Sequence, residues 1–441
     1  MTEHAIVIGG GLAGCEAAWQ LAGAGIAVTL YEMKPHRYSP AHHHEGLAEL
    51  VCSNSLKASR LGSAGGLLKT EMEMQGSLLV RCAKACAVAA GGALAVDREQ
   101  FSAMVTQEIT SHPLITVIRE ELTALPERNA VIATGPLTSD ALAAQIEQLC
   151  GSRLSFFDAA APVVAADSLD QALVFAQSRY DRGDADYINC PLNKQEYELF
   201  VNELIKAQSV ELKTFENVKV FEGCMPVEQM AKRGIDALKF GPLKPVGLEH
   251  PITHEKYYAV VQLRKENVKA DLYNLVGFQT NLTYKEQKRV FGLIPALKNA
   301  EFVKYGVMHR NTYINAPKLL NSNLALKKYP NVYIAGQLSG VEGYMESCIS
   351  GLAIAINIAN KLQNKPTVEF PTTTMLGALI NYITNPANTN FQPMNANFGI
   401  LDPLQEKIKD KKAKKLKQAQ ISLSFYDNNK ELWNTYTKQN Y

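Results

Sequence analysis

The 441-residue sequence has no run of 18 or more apolar residues, which argues against a membrane-spanning helix. Its start lacks a charged segment followed by an apolar core, so no secretory signal is expected. None of the eight cysteines forms Cys-x-x-Cys, which removes zinc ribbons and thioredoxin-type redox pairs. In a chain this long, cysteines at 15, 52, 82, 86, 150, 190, 224 and 348 read as cytosolic thiols, most of them small core residues. A soluble cytoplasmic protein is expected. No metal site is expected either. His42-His43-His44-Glu45 is a cluster, but adjacent histidines point in different directions and no partner spacing is visible. With 46% of residues apolar, the chain can bury a sizeable core in two or three domains.

Asparagine is scarce at first and then common. Residues 1–180 hold two, and residues 181–441 hold 26. Lysine and arginine change in step, from four Lys and eight Arg to 28 Lys and five Arg. Charge follows: 12 basic against 18 acidic residues before the change, 33 against 25 after it, so −6 and +8 make the net +2. The shift reads either as two different surfaces or as a join between two related parents of different base composition. A basic second part suits phosphates. Seven of its lysines lie between Lys407 and Lys417, which by itself reads as a solvated helix face.

The strongest local signal is at the start. Ala5–Ile8 is a short apolar run, followed by Gly9-Gly10-Gly11-Leu12-Ala13-Gly14, an Ala-rich helical stretch, a second apolar run Ile26–Tyr31, and Glu32. Gly9 permits a tight turn, Gly11 lets backbone approach a pyrophosphate, and Gly14 lets helix pack on strand. A helix N-terminus presents N–H groups and partial positive charge to that anion. Glu32, 18 residues after Gly14, is placed to accept from ribose hydroxyls. Two later strands end on glycine turns, Asn129–Gly135 and Asn331–Gly336. The second leads through Gly340 and Gly343 into a helix expected over Glu346–Lys361. Its N-terminus can serve the same cofactor, which implies one doubly wound domain interrupted by an insertion.

Between these signals the spacing predicts helices over Leu67–Ala90, Phe101–Ser111, Leu169–Arg179 and Lys194–Ala207, and strands over Tyr257–Arg264 and Leu272–Gln279. Cys52 lies in Cys52-Ser-Asn-Ser55, where an apolar run meets helix-capping residues. It reads as a buried inert thiol or as one activated at a helix N-terminus. Cys224 sits at a strand end between Gly223 and Met225-Pro226.

The motifs ELVCSNSLKA, GGALAVDREQF, VIATGPLTS, FEGCMPVEQMAKRG, FGPLKPVGLEHP, VMHRNTYINAP and AGQLSGVEGYMES run in order through nearly the whole chain. Together they resemble the bacterial folate- and FAD-dependent RNA uracil-5-methyltransferases, most closely those acting on the tRNA T-loop. Departures are small: GGG stands for the usual GAG, and Cys348-Ile349 replaces small residues. The resemblance implies an α/β fold, a Rossmann-like FAD-binding domain (1–180 and 296–441) interrupted by a smaller α+β insertion (181–295). It implies FAD bound at Gly9, Gly10, Gly11, Leu12, Ala13, Gly14, Glu32, Gly135, Gly336 and Gly343, with 5,10-methylenetetrahydrofolate as carbon donor and NAD(P)H as reductant. The one-carbon unit would pass by way of the flavin to uracil C5. Cys224 would add to uracil C6 and Cys52 would remove the C5 proton. The RNA partner would be tRNA, or 23S ribosomal RNA in a paralogous group. Other readings are a wobble-uridine-modifying flavoprotein or a non-catalytic FAD-binding RNA protein. No obligate protein partner is expected.

The target base must leave its stack, and the affinity for RNA should come from phosphate contacts. Filter-binding titrations should therefore show tRNA affinity falling steeply between 50 and 200 mM salt, by about 10³-fold if six phosphates are neutralised. An affinity indifferent to salt would contradict this.

Overall fold

The computed structural model describes residues 3–126, 129–151, 154–181, 184–210, 225–250 and 252–432. The run His4–Ile8 forms the middle strand of a five-stranded parallel sheet. Across the sheet the strands are Ile115–Arg119, Ala27–Glu32, His4–Ile8, Ala130–Ile132 and Val332–Ile334. Counted along the chain this order is 3-2-1-4-5, with its reversal beside His4–Ile8. Ligands of open parallel sheets sit at such a reversal, beyond the carboxyl ends of the strands. Helices Leu12–Gly23 and Tyr344–Leu362 pack against each other, and both are almost wholly buried, which explains their near-continuous apolar sequence.

Between the fourth and fifth strands the chain builds a second sheet. Its order is Phe175–Ala176, Tyr187–Leu192, Ala259–Lys265, Leu272–Leu275, Val163–Ala165 and Phe302–Lys304, and every pairing is antiparallel. It has its own core, centred on Tyr197, Phe200, Phe278 and Phe291. The strands start at Val163 and end at Lys304, so this sheet reaches past 181–295 on both sides. A two-stranded ribbon, Leu154–Ala159 against Met308–Tyr313, carries the chain in and out.

Two expected helices differ. Leu67–Ala90 divides into Ala64–Met74 and Leu78–Ala85. Gly76 takes a left-handed φ of 72°, and the Ser77 hydroxyl then caps the second helix by accepting the Val80 N–H. Leu169–Arg179 is not an α-helix. It holds a short 3₁₀ turn and the edge strand Phe175–Ala176, because pairing with Ile188 and Asn189 overrides local propensity. Among the described residues no helix is long and apolar enough to cross a membrane.

The C-terminal helices are held by one carboxylate. Glu71, fully buried, accepts from the N–H groups of Met375 and Leu376 and from the hydroxyls of Ser422 and Tyr426, at 2.5–3.1 Å. Burial pushes its pKa up to about 7 from the ordinary 4.5. The folded state thus holds a proton that the unfolded chain has lost. This contribution is complete below about pH 4.5 and is lost as pH rises through 7. Denaturant unfolding of wild type and Glu71→Gln should show the wild type losing about 3 kcal/mol relative to the variant between pH 4.5 and 8. Parallel pH profiles would assign the slope to other groups.

Candidate active site

Two helix N-termini open onto one cleft. Leu12–Gly23 starts after Gly11 with no side-chain cap and no acidic residue in its first turn. Tyr344–Leu362 starts after Gly343, also without a side-chain cap. They approach closely because residue 351 is glycine: a Cβ there would lie 3.0 Å from the Ala13 carbonyl carbon. The cleft encloses about 1090 Å³ and is lined by Gly9, Gly11, Leu12, Ala13, Glu32, Gly135 and Gly336, among others. A Cβ on Gly11 would meet nothing nearer than Ala133 O at 4.0 Å, so backbone borders open space there. Gly10 and Gly14 are turned into the protein. The Gly10 N–H donates to Glu32 Oε2 at 2.8 Å, and Gly14 packs on the Gly9 backbone. Gly343 borders the neighbouring cleft instead.

Glu32 also accepts the Lys34 N–H at 3.0 Å, so two backbone amides fix the carboxylate at the cleft wall. Uncapped amides, an anchored acid and room between them fit the pyrophosphate and ribose of a dinucleotide. Sequence reading missed His42 in this wall. Burial first, then the charge of Lys34, pushes its pKa down to about 4, so it faces the cleft as a neutral imidazole. Arg37 and Glu121 form a two-pronged ion pair, with Glu121 lining the same cleft. His44 turns away from His42 toward Glu49. Among the described residues no three His, Cys, Asp or Glu side chains gather as metal ligands.

A second cleft of about 1110 Å³ adjoins the first and shares Val51, Pro136, Leu137, Gln337, Tyr344 and Ser347 with it. Cys52 lines this second cleft. The expected helix after Cys52 is absent: Ser55–Ala58 is a strand paired with Ala93–Val96. The thiol's field therefore comes from side chains. Arg98, Arg264 and Lys304 all interact electrostatically with Cys52, which favours a thiolate. Burial opposes charge on Arg98, but its ion pair with Glu266, at 2.7 Å, more than offsets this and the net shift is upward. Burial pulls Arg264 and Lys304 down from their ordinary values.

The loop bearing the thiol is gripped from both domains. The buried Tyr344 hydroxyl accepts the N–H groups of Cys52 and Ser53, at 2.8 and 3.2 Å. Arg264, from the antiparallel sheet, donates to Ser53 Oγ at 2.8 Å and to Asn54 Oδ1 at 2.9 Å. Arg98 donates to Leu50 O at 2.8 Å. The Cys52 Sγ lies 3.7 Å from Ala159 O, on the interdomain ribbon. These four residues have no local motif. The signal available in sequence was only that charged side chains stood inside apolar runs, as Arg264 does in Ala259–Lys265. Cys224, the other expected thiol, lies outside the described residues.

Removing one cation tests the field without breaking the loop. Lys304→Met should slow iodoacetamide alkylation of Cys52 at pH 7 by about tenfold, corresponding to roughly one pKa unit, read by peptide mass mapping. An unchanged rate would mean that the thiol is insensitive to these charges.

The family model of the glucose inhibited division protein A, GIDA, matches residues 4–366. Proteins named Methylenetetrahydrofolate--tRNA-(uracil-5-)-methyltransferase TrmFO are similar along almost the full length. That of Acetivibrio thermocellus is 55% identical, covering 96% of this chain and 98% of its own. That of Geobacter sulfurreducens is 57% identical, covering 93% and 95%. That of Listeria monocytogenes is 52% identical, covering 96% and 98%. Among solved structures, Aquifex aeolicus GidA superposes with a TM-score of 0.72 at 14% identity, over 99% of this chain and 78% of that one, a likeness of fold. With a parallel sheet, two convergent helix ends and a family match over most of its length, the chain belongs to the glucose inhibited division protein A family.

Proposed function

We propose that the chain methylates C5 of a uridine in tRNA, with 5,10-methylenetetrahydrofolate as the carbon donor and FAD in the first cleft. The observation that carries this is the junction of the two clefts: a dinucleotide cradle opens directly onto a cavity lined by a thiol in a field of three cations. Relatives above 50% identity whose names print that reaction support it, and they favour tRNA over ribosomal RNA. The target is proposed to be the T-loop uridine. Bound FAD, reduced by NAD(P)H, supplies the carrier for the one-carbon unit and the reducing equivalents.

The chain's own groups do the rest. Uracil C5 is a weak nucleophile, and thiolate addition at C6 makes it an enolate carbon able to attack an electrophilic carbon. We assign the addition to Cys224. Val227, three residues on, donates its N–H to Gln279 O at 2.7 Å, and Gln279 lines the second cleft. Three residues span at most about 10 Å, which keeps the Cys224 backbone within reach of that cavity. Cys52 then takes the C5 proton, its thiolate held ready by Arg98, Arg264 and Lys304. The exposed lysines Lys411, Lys412, Lys414, Lys415 and Lys417 support the tRNA backbone.

With 5-fluorouridine tRNA, Cys224→Ala should abolish the covalent adduct seen on a denaturing gel. Cys52→Ala should still form an adduct but lose turnover by about 10²–10⁴-fold on normal tRNA. An adduct persisting in Cys224→Ala would exchange the two roles.

A further inference from the structure

Lys57 stands out because its backbone is strained for no local reason. Its φ is 64°, in the left-handed region, although it is neither glycine nor asparagine. It lies within the Ser55–Ala58 strand, where pairing with Ala93–Val96 slips register between Ser55 and Ala58. Such bulges re-aim a side chain at a cost in backbone energy. Here the side chain is aimed into the second cleft, whose wall includes Lys57 and Cys52 five residues earlier. Lys57 Nζ is fixed at 2.7 Å from Glu346 Oε1. The Glu346 side chain is only 1% exposed, whereas the Lys57 side chain is 44% exposed. Glu346 Oε1 is held in turn by the Ala396 N–H at 3.0 Å. The pair is thus a buried anion gripping a cation whose remaining donors are available to the cavity.

We propose that Lys57 is a catalytic residue that stabilises the enolate oxygen of the target pyrimidine. The inference rests on the uridine methylation proposed above. When the thiolate adds to C6, the C5=C6 electron pair moves into C4–C5 and the C4 carbonyl electrons move onto O4, which becomes an oxyanion. The Lys57 ammonium donates a hydrogen bond to that oxygen and keeps its proton. After C5 has bonded to the incoming carbon and lost its hydrogen, the pair returns to C5=C6 and the thiolate leaves. A fixed cation at this oxygen is worth more in the transition state than in the ground state, as is usual for oxyanion donors. Strain at Lys57 and burial of Glu346 are then the costs of preorganisation.

Holoenzyme carrying FAD, with NADPH and methylenetetrahydrofolate, is mixed with 5-fluorouridine tRNA, and adduct formation is timed at saturating RNA. Lys57→Met should slow the wild-type rate by about 10²–10³-fold, with tRNA affinity and flavin content within twofold. Lys57→Arg should recover part of the rate. Lys57→Gly should be as slow as Lys57→Met yet melt no lower than wild type, because glycine relieves the left-handed backbone. Adduct rates within threefold of wild type in Lys57→Met and Lys57→Gly would overturn the assignment. So would a loss confined to tRNA affinity and erased by saturating RNA, which would make Lys57 a phosphate contact. If the wild-type enzyme itself forms no adduct, the methylation reading fails first, and this one with it.

Discussion

A single phenol oxygen ties the site together. Tyr344 begins the second buried helix, and its hydroxyl accepts two successive backbone N–H groups, those of Cys52 and Ser53. Buried amides without partners are costly, so this contact fixes the thiol loop relative to the helix end. Burial pushes the phenol's pKa upward and keeps it neutral, able to accept while its own proton goes elsewhere. The same residue lines both clefts, so the dinucleotide cradle and the thiol are positioned by one group.

The opposite side of the loop belongs to the antiparallel sheet. Arg264 and Glu266 lie at the end of Ala259–Lys265 or just beyond it, and they reach back to residues 53, 54 and 98. Buried charges are tolerable there only because each is matched. The cations outnumber the anions they meet, and that excess is what the thiol senses. The insertion is therefore part of the wall and the electrostatics of the catalytic cavity.

The compositional break near residue 180 falls inside this interlocked structure. Arg179 donates to Lys244 O, Val246 O and Gln262 Oε1, and the strand Val163–Ala165 pairs with Leu272–Leu275 and Phe302–Lys304. Many of these contacts use backbone carbonyls or strand registers. Such groups survive wholesale changes of surface lysine and asparagine, so packing across the break is satisfied whatever its origin.

Sequence alone determined the dinucleotide half of the molecule. The strand, the glycine turn, the helix and Glu32 are consecutive, and their physics is local: φ freedom, uncapped amides, and an acid at a strand end. The distant second helix was also readable, since a glycine turn before a long apolar run carries the same local meaning. The tertiary structure alone decided the thiol's surroundings. Capping residues after Cys52 promised a helix, but pairing with Ala93–Val96 made them a strand, and strand pairing is nonlocal. The electrostatics of Cys52 comes from residues 98, 264 and 304, and the loop is held by residue 344. No spacing rule links these positions; only the packing of two sheets through one ribbon brings them within contact of one sulfur.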